Sequence, residues 1–356
     1  MAELTSLERI RRAVDLKEPD VVPVAPYMGN HGAQVAGVPI DRYCTNGEIM
    51  AEAQLAAWRK YGQDVVVAQS DNYYIAEGFG IETEIRANST PTLKKPVVNE
   101  LKDVYKLKVP NPWIDGRMPV YLDAISRLSK AVGDRVAVRG CGTGPFSLAS
   151  HLMGTQEFLI QLAMAQHEPD GEDYKALRTL MDLTTDALIA FCKAQLEAGA
   201  HLVQCGDSLA SIDMISPAMY ESWAFPYEKR FCDEMRDTCK KYGGYTILHI
   251  CGNATKVLDL YADTGAHIVE LDFKVDMAYA KQRIGHRACL LGNLNPTEVL
   301  LQGTPADVER ASAAVIAAAG KGGGLILGSG CEVPPYAPEE NMQAMVRTAR
   351  FHRYPL

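Results

Sequence analysis

The chain has 356 residues, of which 47% are hydrophobic, so it is long enough to bury a large core. Its formal net charge is −8 and its Lys and Arg residues are scattered, which argues against a nucleic-acid partner because phosphate binding needs clustered cations. No run approaches the roughly 18 apolar residues of a membrane span. The first residues carry Glu3 and Glu8 where a signal peptide would be basic, so a cytoplasmic protein is predicted.

The hydrophobic pattern predicts alternating strands and helices. A short helix over residues 6–16 precedes the first strand. Eight runs rich in Val, Ile and Leu are typical of strands covered on both faces, at residues 21–27, 64–71, 135–140, 201–207, 245–251, 267–273, 288–293 and 325–331. Helical segments separate nearly all of them, at residues 46–61, 119–131, 175–198, 219–241, 254–264 and 305–319.

Eight β–α repeats predict an α/β protein with one (β/α)8 TIM barrel, a single domain over residues 1–356. A long insert follows the second strand and contains a predicted hairpin, residues 81–86 with 92–97. In such a barrel the carboxyl ends of the strands form the catalytic face, and polar residues occur at several of these ends. They are Asp71, Asp207, His249, Cys251, Glu270, Asp272, Asn293 and Cys331.

The sharpest motif is His249-Ile250-Cys251 at the end of the fifth strand. Residues i and i+2 of a strand point to the same side, so His249 and Cys251 are predicted to face the barrel mouth. Cys331 follows glycines at the end of the eighth strand and is predicted to reach the same point. One imidazole and two thiolates suit zinc, and three protein ligands leave a fourth position open. The alternative is a core histidine with buried thiols.

Other candidates surround this motif. Glu332 is either a labile fourth ligand or a loop carboxylate near the rim. Asp71 and Asp207 are candidate catalytic residues that hold the substrate or a metal-bound proton, although either can instead cap a following helix. Four residues just past strand ends are predicted to line a substrate pocket and suit an aromatic substrate, the alternative being packing alone. They are Tyr27, Asn72, Tyr73 and Tyr74.

Four segments carry a family resemblance. They are residues 144–150 (GPFSLAS), 215–217 (ISP), 292–296 (GNLNP) and 334–341 (PPYAPEEN). Along nearly its whole length the chain resembles the uroporphyrinogen decarboxylase superfamily. Within it the chain is similar to the cobamide-dependent methyltransferases, whose zinc motif is H-x-C with a distant cysteine after glycine. His249, Cys251 and Cys331 match that motif.

The decarboxylase branch fits less well. Its arginine-rich R-Q-A-G-R segment after the first strand is replaced by residues 26–31 (PYMGNH). Its late Gly-His-Gly reads Gly-Ser-Gly at residues 328–330. Ser70-Asp71 does resemble the F-S-D segment that holds the decarboxylase's essential aspartate. A porphyrinogen bears many carboxylates, and a pocket without these arginines would bind it poorly.

The resemblance implies zinc-dependent methyl transfer between a small molecule and the cobalt of a corrinoid carried by a partner protein. Either a zinc-bound thiol such as coenzyme M takes the methyl group, or zinc polarises a methoxylated compound whose methyl group passes to cobalt. The tyrosines favour an aromatic substrate and hence O-demethylation. The decarboxylase branch also suggests a homodimer. Two alternatives stay open: decarboxylation of a tetrapyrrole, and a non-enzymatic zinc-stabilised binding protein.

Overall fold

The computed structural model describes residues 3–356. This part of the chain contains β1 (Val65–Ala68), β2 (Glu82–Arg86), β3 (Ser89–Lys95), β4 (Ala137–Gly140), β5 (Leu202–Gly206), β6 (Tyr245–Ile250), β7 (Ile268–Leu271), β8 (Cys289–Leu294) and β9 (Leu325–Ser329). Seven of them form one curled parallel sheet in the order β1-β4-β5-β6-β7-β8-β9. β2 and β3 pair as an antiparallel hairpin within the predicted insert.

The predicted first strand, residues 21–27, is not a regular strand. It meets β9 at one parallel bridge, between Val24 and Leu327, while the Val24 carbonyl accepts a hydrogen bond from the Asp64 N–H at 2.8 Å beside β1. Pro23 and Pro26 have no N–H to donate, so a continuous ladder cannot form along this segment. The prediction of eight regular strands is therefore corrected to seven, with an irregular segment touching both edges of the sheet.

The helices follow the predicted rhythm. They are α1 (Ser6–Val14), α2 (Asn30–Val35), α3 (Ile40–Tyr43), α4 (Gly47–Tyr61), α5 (Tyr74–Gly78), α6 (Met118–Val132), α7 (Pro145–Met153), α8 (Thr155–Ala165), α9 (Glu172–Glu197), α10 (Pro217–Met219), α11 (Phe225–Tyr242), α12 (Leu258–Asp263), α13 (Met277–Ile284), α14 (Pro305–Ala319) and α15 (Glu339–Phe351). Short 3₁₀ or π turns flank several of them, including Tyr220–Ala224 before α11.

Local chemistry explains where these helices begin and end. The Asn46 side chain accepts a hydrogen bond from the Ile49 N–H and starts α4, while Thr304 and Asp307 form a reciprocal capping box at α14. Every residue of β1, β4 and β9 is buried, as expected of strands covered by helices. Along the hairpin strand β2, exposed residues alternate with partly buried ones. Across residues 3–356 no helix is long and apolar enough to cross a membrane.

Candidate metal centre

His249, Cys251 and Cys331 come together at the carboxyl edge of the sheet. His249 lies in β6, Cys251 directly follows that strand, and Cys331 comes two residues after β9. The Nε2 atom of His249 is 3.1 Å from the Cys251 Sγ atom, which is 2.9 Å from the Cys331 Sγ atom. The ligand atoms of the three residues all lie within 4.8 Å of one another. Residues far apart in sequence thus present one nitrogen and two sulfurs to a single point.

Two glycines allow this convergence. Gly252 has a φ of +93°, so the chain turns sharply after Cys251 in a conformation that side chains with a Cβ rarely adopt. A Cβ built on Gly330 would lie 2.5 Å from the Phe273 backbone nitrogen. Glycine at position 330 therefore lets the chain pass close to the end of β7 and places Cys331 against Cys251.

The pKa values of the two thiols are shifted in opposite directions. The hydrogen bond from Cys331 lowers the pKa of Cys251, and burial opposes this shift. The same contact, together with burial, raises the pKa of Cys331 far above its usual range. Of the two thiols, Cys251 is therefore the easier to deprotonate, and a bound cation would favour the loss of both protons.

His249 is oriented from behind by a buried ionic network. Its Nδ1 atom lies 3.3 Å from the Glu270 carbonyl oxygen and 3.4 Å from the Glu270 carboxylate, which leaves Nε2 toward the sulfurs. Arg139 donates to the Glu270 carboxylate at 2.9 Å and also to the Gln204 side-chain oxygen at 3.1 Å. The Arg139 guanidinium in turn lies 4.4 Å from the centre of the Tyr27 ring.

The charges of this network set the pKa of the imidazole. Burial alone would lower the pKa of His249, but the Glu270 carboxylate raises it above its ordinary value. Burial would likewise raise the pKa of Glu270, and the adjacent Arg139 guanidinium and His249 hold it below its usual range. Glu270 is thus an anion that can fix the Nδ1–H tautomer, the arrangement typical of metal-bound histidines.

This donor set fits zinc. An imidazole nitrogen and two sulfurs are ligands that Zn²⁺ prefers, and a carboxylate behind the histidine is a common supporting contact. Cys251 and Cys331 are partly exposed while His249 is buried, so the group is approachable from the side of the two sulfurs. Three ligands with one approachable side are typical of catalytic rather than closed structural zinc sites.

Glu332, predicted as either a labile fourth ligand or a loop carboxylate near the rim, is not among the three residues whose ligand atoms converge. Its Oε1 atom accepts a hydrogen bond from the Asn30 N–H at 3.0 Å. Burial raises the pKa of Glu332 to about 7, and the Asn30 bond opposes that shift. Glu332 is next to Cys331 in the sequence, but its carboxyl group is hydrogen-bonded to Asn30 of α2.

Asp71 is engaged by an arginine. Arg117 donates to both carboxylate oxygens, at 2.7 and 2.8 Å, and the Tyr121 hydroxyl donates at 3.1 Å. Arg117 also binds Glu77, so one guanidinium joins the loop after β1 to α5. These contacts favour a positioning role for Asp71, which holds the start of α6 against the β1 loop.

Asp207 caps a helix, but not the following one. Its two carboxylate oxygens accept the backbone N–H groups of Phe146 and Ser147, at 3.0 and 2.6 Å, at the start of α7. Burial raises the pKa of Asp207 to about 6, while the bonds from Ser147 and Phe146 oppose the shift. Asp207 thus caps a helix, as one of its two predicted roles requires, but this helix comes some 60 residues before Asp207 in the sequence.

Asp207→Asn is expected to lower the free energy of unfolding by about 1–2 kcal/mol, since an amide oxygen can replace only one carboxylate acceptor. The folded pKa of Asp207, about 6, exceeds the ordinary value of 3.8, so the folded state binds more protons between these values. The contribution of Asp207 to stability therefore falls as pH rises through that window, and this fall should be missing in the variant. Urea unfolding at several pH values measures both effects. Unchanged stability with lost activity would instead assign Asp207 a catalytic role.

The four predicted pocket residues have different surroundings. Tyr27 is buried between Arg139 and His249, with its ring centre 6.4 Å from the imidazole. Asn72 is exposed, and Tyr73 is half-buried against His151 at 4.6 Å between ring centres. Tyr74 is fully buried and packs on Tyr121 and Phe191, as a core residue does.

Sequence patterns do not identify Arg139 or Gln204 as site residues, and they mark Glu270 only as a polar residue at a strand end. A signal was present, because a charged residue in the middle of a buried parallel strand needs a partner. Arg139 in β4 and Glu270 in β7 are such residues, 131 positions apart. Predicting that these two residues pair with each other would have required the order of the strands in the sheet.

The fold and the site together define a class of protein: a curled parallel α/β sheet that carries, at the carboxyl edge of its strands, a His-Cys-Cys group able to hold a metal ion. The chain belongs to the uroporphyrinogen decarboxylase (URO-D) family, whose sequence profile matches residues 5–352. The resemblance predicted from the motifs is thereby confirmed at the level of the family.

Relatives that match along their full length include methyltransferases. The methylcobamide:CoM methyltransferase MtbA of Methanosarcina mazei is 33% identical over 359 residues, 99% of this chain and 100% of that protein. A uroporphyrinogen decarboxylase of Coxiella burnetii is 27% identical over an alignment that covers 86% of this chain and 82% of the decarboxylase. Among solved structures, a methyltransferase from Methanosarcina mazei superposes with a TM-score of 0.87 at 27% identity, covering 98% of this chain and 99% of its own.

Proposed function

We propose that the protein is a zinc-dependent methyltransferase that moves a methyl group between a small molecule and the cobalt of a corrinoid carried by a partner protein. The observation that carries this proposal is the His249-Cys251-Cys331 cluster, whose ligand atoms lie within 4.8 Å of one another. The full-length similarity to methylcobamide:CoM methyltransferases supports the reaction class.

The residues of the chain have separate tasks in this reaction. His249, Cys251 and Cys331 would hold the ion, and Glu270 with Arg139 keeps the imidazole in the tautomer that presents Nε2. When bound, zinc supplies a Lewis acid that lowers the pKa of a thiol or polarises an ether oxygen. The partly exposed side of Cys251 and Cys331 gives both the small molecule and the corrinoid access to this point.

Tetrapyrrole decarboxylation is less well supported. Arg117 and Arg139, the arginines bonded to site residues, are already paired with Asp71, Glu77 and Glu270. Neither is free to bind the carboxylates of a porphyrinogen. A dimer and a cytoplasmic location remain predictions.

Removal of the metal tests the proposal. Dialysis against a strong chelator is expected to abolish methyl transfer from methylcobalamin to a small thiol, and stoichiometric zinc should restore it because the ligands belong to the folded chain. Transfer is followed by the absorbance change on cobalamin demethylation. Full activity in chelated, metal-free protein would contradict a metal-dependent mechanism. Zinc-loaded protein that transfers methyl groups neither from methylcobalamin to thiols nor from methoxyarenes to chemically reduced cob(I)alamin would contradict methyl transfer itself.

A further inference from the structure

Ser208, a half-buried residue in the short 3₁₀ turn after β5, contacts one sulfur of the metal cluster. Its hydroxyl donates a hydrogen bond to the Cys251 Sγ atom, and the two atoms are 3.4 Å apart. The bond from Cys331 is the main cause of the lowered pKa of Cys251, burial opposes it, and the Ser208 bond lowers this pKa further. Ser208 thus acts on a predicted metal ligand without being one.

The backbone around Ser208 is fixed on both sides. The preceding residue, Asp207, donates its N–H to the His249 carbonyl at 2.8 Å, and its carboxylate accepts two N–H groups at the start of α7. The following residue, Leu209, donates its N–H to the Ser147 Oγ atom at 2.9 Å. The position of Ser208 is therefore set by α7 and by β6, the strand that leads into the metal cluster, and the hydroxyl is held in place for its bond to the sulfur.

A metal ion would leave Ser208 as the remaining hydrogen-bond donor to this sulfur. Among the described residues, Cys251 Sγ contacts the Nε2 atom of His249, the Sγ atom of Cys331 and the Ser208 hydroxyl. A ligating nitrogen has no proton and a ligating cysteine is a thiolate, so the first two contacts could no longer donate. Within residues 3–356, Cys331 Sγ receives no hydrogen bond from a hydroxyl or a backbone N–H.

We propose that Ser208 is a positioning residue that makes the two thiolates of the metal centre unequal, by donating a hydrogen bond to Cys251 and not to Cys331. A hydrogen bond draws negative charge away from a thiolate, and such contacts tune the metal that the sulfur binds. The Cys251 sulfur then gives less charge to the ion, which leaves a stronger Lewis acid for the substrate. Only this last step rests on the proposed function, since the hydrogen bond acts on metal binding whatever the reaction.

Cobalt(II)-substituted protein tests this role, because sulfur-to-cobalt charge-transfer bands report the charge on the ligating sulfurs. In Ser208→Ala these bands are expected to move to longer wavelength, since a thiolate without its hydrogen-bond donor gives up an electron more readily. Zinc affinity, measured by competition with a chelator, should fall about tenfold. Ser208→Thr retains the hydroxyl and should keep the bands and the zinc affinity near those of the wild type.

Ser211→Ala is the matched control in the same loop. The Ser211 Oγ atom accepts the Asp213 N–H at 3.2 Å, and within the described part of the chain no hydrogen bond joins it to a cluster sulfur. The control should therefore leave the bands and the zinc affinity unchanged. Unshifted bands in Ser208→Ala, or an equal shift in Ser211→Ala or Ser208→Thr, would overturn the role of the Ser208 hydroxyl.

Methyl transfer by the zinc-loaded wild-type protein separates this inference from the proposed function. Absence of transfer, both to thiols and from methoxyarenes, contradicts the proposed function and does not affect the charge-transfer spectra of the variants. Transfer by the wild type together with unshifted bands in Ser208→Ala contradicts only the role of Ser208.

Discussion

Cys331→Ala is expected to bind zinc at far below one ion per chain and to lose methyl transfer almost completely. The remaining His249 and Cys251 can supply only two ligands, and loss of one thiolate removes a large part of the binding free energy. The Cys251 and Cys331 sulfurs are 2.9 Å apart, so the variant also removes the contact that lowers the pKa of Cys251. Metal analysis of the purified protein measures the loss directly.

Cys239→Ala provides the matched control. Cys239 is a buried cysteine of α11 that does not belong to the metal cluster, and its truncation should cost about 1 kcal/mol of stability while leaving the zinc content near one. Full zinc retention in Cys331→Ala, or equal loss in both variants, would show that Cys331 is not a ligand.

Glu270→Gln is expected to cause the second large effect, a loss of about 3–5 kcal/mol of stability. The substitution leaves the Arg139 guanidinium, which is 2% exposed, without its carboxylate partner, and an uncompensated buried charge is costly. It also removes the carboxylate beside His249 Nδ1, so zinc affinity should fall about 10- to 100-fold. Denaturant unfolding and competition with a zinc chelator measure the two effects separately.

The ion pair between Arg283 and Asp259 is the control for Glu270→Gln. Both of its side chains are about half exposed, so Asp259→Asn should cost under about 1 kcal/mol and leave zinc affinity unchanged. The double variant Arg139→Met/Glu270→Leu should regain much of the stability, because apolar replacement of a buried pair is often tolerated, yet keep the weak zinc affinity. Recovery of zinc affinity together with stability would refute a role for Glu270 in orienting His249.

The metal cluster could be predicted because it depends on local rules. Strand parity places His249 and Cys251 on one side, and the parallel arrangement brings the end of β9 to the same edge. The resemblance to the family motif then indicated which metal these residues would bind. The zinc ion itself, the corrinoid and the substrate stay predictions that the experiments above address.

Other features depend on partners that are distant in sequence. Asp71 is held by Arg117, which lies in the insert 46 residues later, and Asp207 caps a helix 60 residues earlier. Past a strand end no periodicity distinguishes half-buried Tyr73 from fully buried Tyr74. The irregular segment at residues 21–27 was within reach of prediction, because Pro23 and Pro26 already indicated that a regular ladder could not form.

X-ray absorption at the zinc edge tests the central claim most directly. The wild-type protein, loaded with zinc and free of substrate, is expected to show two sulfur neighbours at about 2.3 Å and at least one nitrogen neighbour at about 2.0 Å. Addition of phenylmethanethiol should raise the sulfur count from two to three. A first shell of nitrogen and oxygen alone, or a sulfur count that does not change with the thiol, would contradict a catalytic site built from His249, Cys251 and Cys331.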